Sequence, residues 1–299
     1  MNFHYVKNRW EFISLQSKDH FKSSTLLQHH AVQFIAMAGR YLIPQKPDDS
    51  NVSMKWNSNR RMLSGQWIDT GTSPVKLGLR LEDLTLFIFD PSCTEIDRFT
   101  IQGKTKPEVY EWLEKRMIEL GQRMGPLEMD MHYSLPPHRT DDEYPFEIEN
   151  KEEMDEITSI RENADLILNE LAQEFEDASK VRVWPHHFET ECLIPVEYKG
   201  KSLSKTLGIG LSVPDANVDY YYFYVNHWSL DNDIDYFQAR DIDAGGHWVT
   251  NKWIGAVLSL SELHKDKDKE SQVDRVYSFF YSAINNTLEL LLANDMKMK

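Results

Sequence analysis

Apolar and polar positions along this chain fall into two rhythms. Across residues 24–43, Leu27, Ala31, Phe34, Ile35, Ala38 and Leu42 recur at helical spacing, and Pro44 and Pro47 close the run. Apolar groups lie on nearly every side, so the predicted helix is a buried one. From residue 52 the period changes to two. Val52, Met54 and Trp56 alternate with Ser53, Lys55 and Asn57, and a second strand is expected at 63–68. Val75, Leu77, Leu79 and Leu81 alternate again, and 84–89 is continuously apolar. Asp90-Pro91-Ser92 is a turn, and 95–101 reads as a further strand. This series predicts an antiparallel meander. Residues 2–23, mixed and aromatic, read as an arm lying on the surface.

Helical spacing returns after Thr105, an expected N-cap with Pro107 in the first turn and Glu108 three residues on. Gly121 marks the end of that helix. Residues 125–145 carry proline, histidine and acid without a period, and read as a long connection. A helix is expected at 152–179, strands at 203–213, 220–228 and 247–258, and a last helix at 271–294. Helix, strands, helix therefore occurs twice. The expected fold is α+β, antiparallel sheets with helices on one face, in two similar-sized lobes at 1–127 and 128–299 packed as one unit.

Residues 181–194 read V-R-V-W-P-H-H-F-E-T-E-C-L-I. If one strand runs on from Trp184, alternation places Trp184, His186, Phe188, Thr190, Cys192 and Ile194 on a core face. His187, Glu189, Glu191 and Leu193 fall on a polar one. Trp184 is then a buried core residue. Pro185 has no N–H to give a ladder, which suits an edge or a strand start.

Composition narrows the function classes. Asp plus Glu number 48 against 33 Lys plus Arg, a net charge of −15. A nucleic-acid backbone or an anionic membrane surface calls for a basic face, so neither is an expected partner. No apolar run approaches the length of a membrane helix, and residues 1–12 hold no secretory h-region. Two cysteines, Cys93 and Cys192, fit a reducing cytoplasm, should not pair, and form no CxxC metal knuckle. The oligomeric state is left open.

Several short motifs, in order over most of the chain, resemble an uncharacterised bacterial family classed as a domain of unknown function. They are the early helix ending near Leu42, Lys55-Trp56-Asn57, Tyr144-Pro145-Phe146 before a long helix, Trp184 to Glu189, the strand pair from Gly210 to Tyr224, and Gly255-Ala256-Val257-Leu258. Family members often carry Phe-Asp where this chain has Phe188-Glu189, and Gly-Asp where it has Pro214-Asp215. The resemblance implies a shared architecture of about this length and no particular activity.

Four constellations bear chemistry. His186 or His187 with Glu189 or Glu191, completed by His227 or His247, are candidate ligands for a divalent metal, His187, Glu189 and His247 first among them, because imidazole and carboxylate suit such ions. No HExxH-type spacing supports them, and a hydrogen-bonded core His186 is the structural alternative. Cys192 is a nucleophile only if exposed with a depressed pKa, and its place on the apolar face argues for an inert thiol. Asp231-Asn232-Asp233-Ile234-Asp235 begins like a calcium loop, but Tyr236 and Ile242 break the pattern. Tyr222, Tyr224 and Trp253 belong to an aromatic run suited to lining a pocket or a core. The reading is a small-molecule or partner site in the second lobe, on His186, His187, Glu189, Tyr222, Tyr224, His227, His247 and Trp253. The alternative is a metal-dependent, hydrolase-like enzyme on the His186/His187/Glu189 stretch; whether the protein is an enzyme is left open.

Overall fold

A computed structural model describes residues 3–14, 18–122, 126–230, 239–251 and 253–297. Helices α1 (Phe3–Arg9), α2 (Lys18–Ala31) and α3 (Gln33–Leu42) precede strands β1 (Lys55–Asn57), β2 (Met62–Ile68), β3 (Val75–Arg80), β4 (Thr85–Phe89) and β5 (Glu95–Thr100). Helices α4 (Lys106–Glu119) and α5 (Lys151–Ala172) follow. Then come β6 (Arg182–Trp184), β7 (Glu189–Lys199), β8 (Ser202–Ser212), β9 (Tyr222–Ser229), β10 (His247–Val249), β11 (Gly255–Ser259) and α6 (Lys269–Lys297). The fold is α+β with antiparallel sheets.

The chain divides into two compact units that interleave along the sequence. Unit one comprises Met1–Lys18, Ser159–Val181 and Glu189–Lys299; unit two comprises Asp19–Thr158 and Arg182–Phe188. The lobes read from sequence, 1–127 and 128–299, were consecutive. Alternation and helical spacing act over a few residues and carry no signal for a segment of seven residues crossing from one unit to the other.

In unit two, β1 to β5 form a meander in chain order, antiparallel throughout. Strand β4, apolar from Leu86 to Phe89, is buried at every position, as a strand covered on both faces must be. Helix α3 packs on β2 and buries Phe34, Ile35, Met37 and Leu42. A Cβ at Gly65 would come within 2.6 Å of Ile35 Cγ2, so only glycine permits this approach. The run expected as one helix at 24–43 breaks at Val32, which sits near helical φ and ψ. Its carbonyl accepts from the N–H groups of Ile35 and Ala36, so the apolar period passes through the break unaltered. The expected surface arm is instead α1 with the start of α2, and Val6, Trp10 and Ile13 within it are buried. At α4, Thr105 and Glu108 form the reciprocal capping box expected from their spacing.

In unit one, β7 to β11 lie in the order β10-β11-β9-β8-β7, every neighbouring pair antiparallel. Helix α6 covers one face, with Phe280 edge-on to Phe223 at 5.3 Å between ring centroids. Two expected boundaries move. The helix expected to reach 179 stops at Ala172, and the strand at 247–258 is the separate pair β10 and β11. No helix among the described residues is long and apolar enough to cross a membrane.

The single strand expected from Trp184 to Ile194 does not form. β6 ends at Trp184, Pro185 to Phe188 turn, and β7 begins at Glu189. Trp184 is only partly buried, contrary to its expected core position. Thr190, Cys192 and Ile194 are buried as expected, because a four-residue turn leaves the two-residue phase unchanged.

Candidate functional site

The turn in Trp-Pro-His-His-Phe is an anchor. His29 Nε2 and Gln33 Nε2 both donate to the Pro185 carbonyl, at 2.8 and 3.0 Å. Phe188 closes the turn at φ 55°, its N–H donating to Trp184 O at 2.8 Å. A left-handed conformation costs a bulky residue about 1–2 kcal/mol. Full burial of the ring, stacked on His29 at 5.1 Å, offsets that cost. The imidazoles of His186 and His187 lie 4.4 Å apart. His186 is half-buried, and burial, then the neighbouring His187, pushes its pKa down to about 4; His187 is exposed.

The other sequence-selected residues belong to unit one. Cross-strand pairing puts Glu189, Tyr222, Tyr224 and His247 on one sheet face, and pairs His227 with Leu207 on the face that α6 covers. Glu189 and His247 stand on β7 and β10, the outer two of these five strands. Four spacings of about 4.8 Å separate them by roughly 19 Å, too far to share one ion. Among the described residues no group of three or more His, Cys, Asp or Glu side chains could hold a metal ion. The expected metal set His187, Glu189 and His247 is thus not assembled. Tyr222 and Tyr224 are buried with Val218 and Val257, and Val249 and Trp253 pack against them. Their hydroxyls donate to Asp215 Oδ2 at 2.8 Å and Glu189 Oε2 at 3.1 Å. Burial raises the pKa of both tyrosines, so these hydroxyls stay protonated and committed to their carboxylates. Tyr222 and Tyr224 are therefore core residues, with Trp253 only partly buried beside them. Cys192 is buried, and burial pushes its thiol up to about 11, the inert state expected of it. Residues 231–236 of the calcium-like loop lie outside the described residues.

A cavity of about 250 Å³ lies within unit two. Its floor is Gln33, Phe34 and Met37 of α3, and its roof is the segment 129–135, with Met129, Met131, Tyr133 and Leu135 turned toward it. One end is polar, formed by His30, Lys106 and Asp141. This roof is the stretch that reads from sequence as a connection. Here it is a strap fastened along its length. Tyr41 Oη donates to Asp130 O at 2.6 Å, and Tyr133 Oη donates to Gln33 Oε1 at 2.7 Å. His132 lies 3.1 Å from Asp49 Oδ2 and also bonds Arg40. His30 Nε2 donates to Pro136 O at 2.9 Å.

The polar end is ordered by its hydrogen bonds. The Lys106 ammonium donates to His30 Nδ1 at 2.8 Å and to Asp141 Oδ1. With Nδ1 accepting, the His30 proton must sit on Nε2, where Pro136 O receives it. Burial, then the Lys106 charge, lowers the His30 pKa. Burial, then neighbouring His30, lowers His138 to about 4. Burial pushes Asp141 up, but bonds from Lys106 and the His138 N–H outweigh it and leave the carboxyl lowered. The group is thus one ammonium, one carboxylate and two neutral imidazoles. General acid–base work favours a pKa near the working pH, and both His30 ring nitrogens are already engaged, so the geometry suits holding a ligand better than moving its protons.

Sequence reading missed all three polar-end residues, which lie on α2, α4 and the 3-10 turn Arg139–Asp142. One signal was present: some 20 residues without a period are uncommon in a compact unit unless functional or disordered. The chain matches no family model, no curated protein and no solved structure, so its site rests on its own geometry.

Proposed function

We propose that the protein binds a small molecule in the cavity of unit two. This keeps the class of function read from sequence and moves its place, because the tyrosines of unit one spend their hydroxyls inside a core. One observation carries the reading: an open cavity of about 250 Å³ sets Phe34, Met37, Met131 and Leu135 beside an ordered ammonium–imidazole–carboxylate group. Apolar side chains beside a few convergent polar groups are a usual make-up of a ligand site. Met37, Met129 and Met131 supply adaptable walls. Cys93 and Cys192 are both free, which supports a reducing, cytoplasmic setting.

The test is a ligand-observed NMR fragment screen on wild type and on Leu135→Trp, which fills the cavity from its partly exposed roof. Fragments that bind wild type and are lost in the folded variant support the reading. No binding, or equal binding to both proteins, rejects it.

A further inference from the structure

We infer that the ligand is a neutral, single-ring molecule bearing one hydroxyl, an alcohol or phenol whose oxygen sits between Lys106 and Asp141. This rests on the cavity of unit two being the binding site. Size sets the body. A cavity of about 150 Å³ holds benzene, so 250 Å³ holds one ring and a few further atoms. Phe34, Met37, Met131 and Leu135 offer that ring apolar contact on two sides.

The polar end sets the head group. An ammonium has three N–H donors, and Lys106 uses two, on His30 Nδ1 and Asp141 Oδ1. Among the described residues the third has no partner, so a ligand in the cavity can offer it an acceptor in place of water. Among the described residues Asp141 Oδ2 accepts only the His138 N–H, and a carboxylate oxygen has room for a second donor. A hydroxyl answers both needs at once, accepting from Lys106 and donating to Asp141. An ether or ketone answers only the first.

Charge argues against an anionic head. Of the charged side chains lining the cavity, Lys106 is the cation, while Asp130 and Asp141 are anions. The Asp141 carboxylate sits directly on the Lys106 ammonium. Its repulsion of an incoming carboxylate therefore offsets most of the attraction by Lys106. The chain as a whole, at −15, adds no pull on an anion.

Four probes of one shape separate the alternatives by calorimetry or NMR titration: 4-methylphenol, toluene, 4-methylanisole and 4-methylbenzoate. The expected order in wild type is 4-methylphenol tighter than toluene and 4-methylanisole by roughly tenfold or more, from hydrogen bonds to charged partners, with 4-methylbenzoate weakest. Lys106→Met should bring 4-methylphenol down to the level of toluene while toluene itself is little changed. Asp141→Asn removes the opposing charge, so 4-methylbenzoate should gain several-fold; this variant keeps the proposal testable should Lys106→Met fail to fold. Toluene binding as well as 4-methylphenol, or 4-methylbenzoate binding best in wild type, overturns the hydroxyl assignment and leaves the cavity standing as a ligand site. Binding of none of the four overturns both.

Discussion

Single residues here show how burial decides what a chemical group can do. Cys192 and Cys93 are the same side chain in opposite settings, one buried and raised to about 11, the other exposed. At pH 8 a disulfide reagent should titrate one thiol per chain quickly, Cys93, and the second only on unfolding; two fast thiols would contradict the burial of Cys192. Asp165 carries a similar lesson in pH. Burial first, then the charge of Glu162, raises its carboxyl to about 7. The folded state therefore holds a proton that the unfolded chain releases near pH 4. That contribution is complete below the unfolded value and is lost as pH rises from about 4 through 7. Asp165→Asn should accordingly be more stable than wild type at pH 8, by on the order of 1–2 kcal/mol. The gain should shrink toward pH 4, and urea melts showing an equal gain at both pH values would contradict the assignment.

At the scale of elements, the cavity is made by three helices, α2, α3 and α4, and a strap, each positioned by local chemistry. Lys106 is the first residue of α4, directly after the Thr105 cap, so the capping box fixes where its ammonium starts. Thr105→Ala should cost about 1 kcal/mol in a denaturant titration, and ligand affinity should fall with it, since Lys106 loses its fixed origin. An unchanged stability would show that the box does not hold this terminus. The strap has no regular structure of its own. Its order comes from side chains of α2 and α3 meeting its carbonyls, which is why periodicity passes over it. The strands of unit two were legible because alternation between Val52 and Thr100 reports burial directly. The break at Val32 was not, because a residue at nearly helical φ and ψ leaves the apolar pattern intact. Nor was the turn at Pro185 to Phe188, whose four residues keep the strand phase and make two elements look like one.

At the scale of the whole molecule, sequence pattern reported the α+β class and the antiparallel sheets, since those follow from which neighbours along the chain share a face. The site we propose lies apart from the residues singled out in the sequence. The conspicuous histidines, His186 and His187, ride on a turn whose work is to fasten Pro185 and Phe188, and the conspicuous tyrosines are core. The polar end of the cavity brings together His30, Lys106 and Asp141 from points 76 and 35 residues apart, a juxtaposition only the fold creates. The central claim is that this cavity, and not the aromatic face of unit one, takes the ligand. A crystal soaked with 4-methylphenol addresses it most directly. The account predicts density for the ring between Phe34, Met37 and Leu135, with the hydroxyl in hydrogen-bond reach of Lys106. Density confined to the sheet face of Tyr222 and Tyr224, with the unit-two cavity empty, would contradict it.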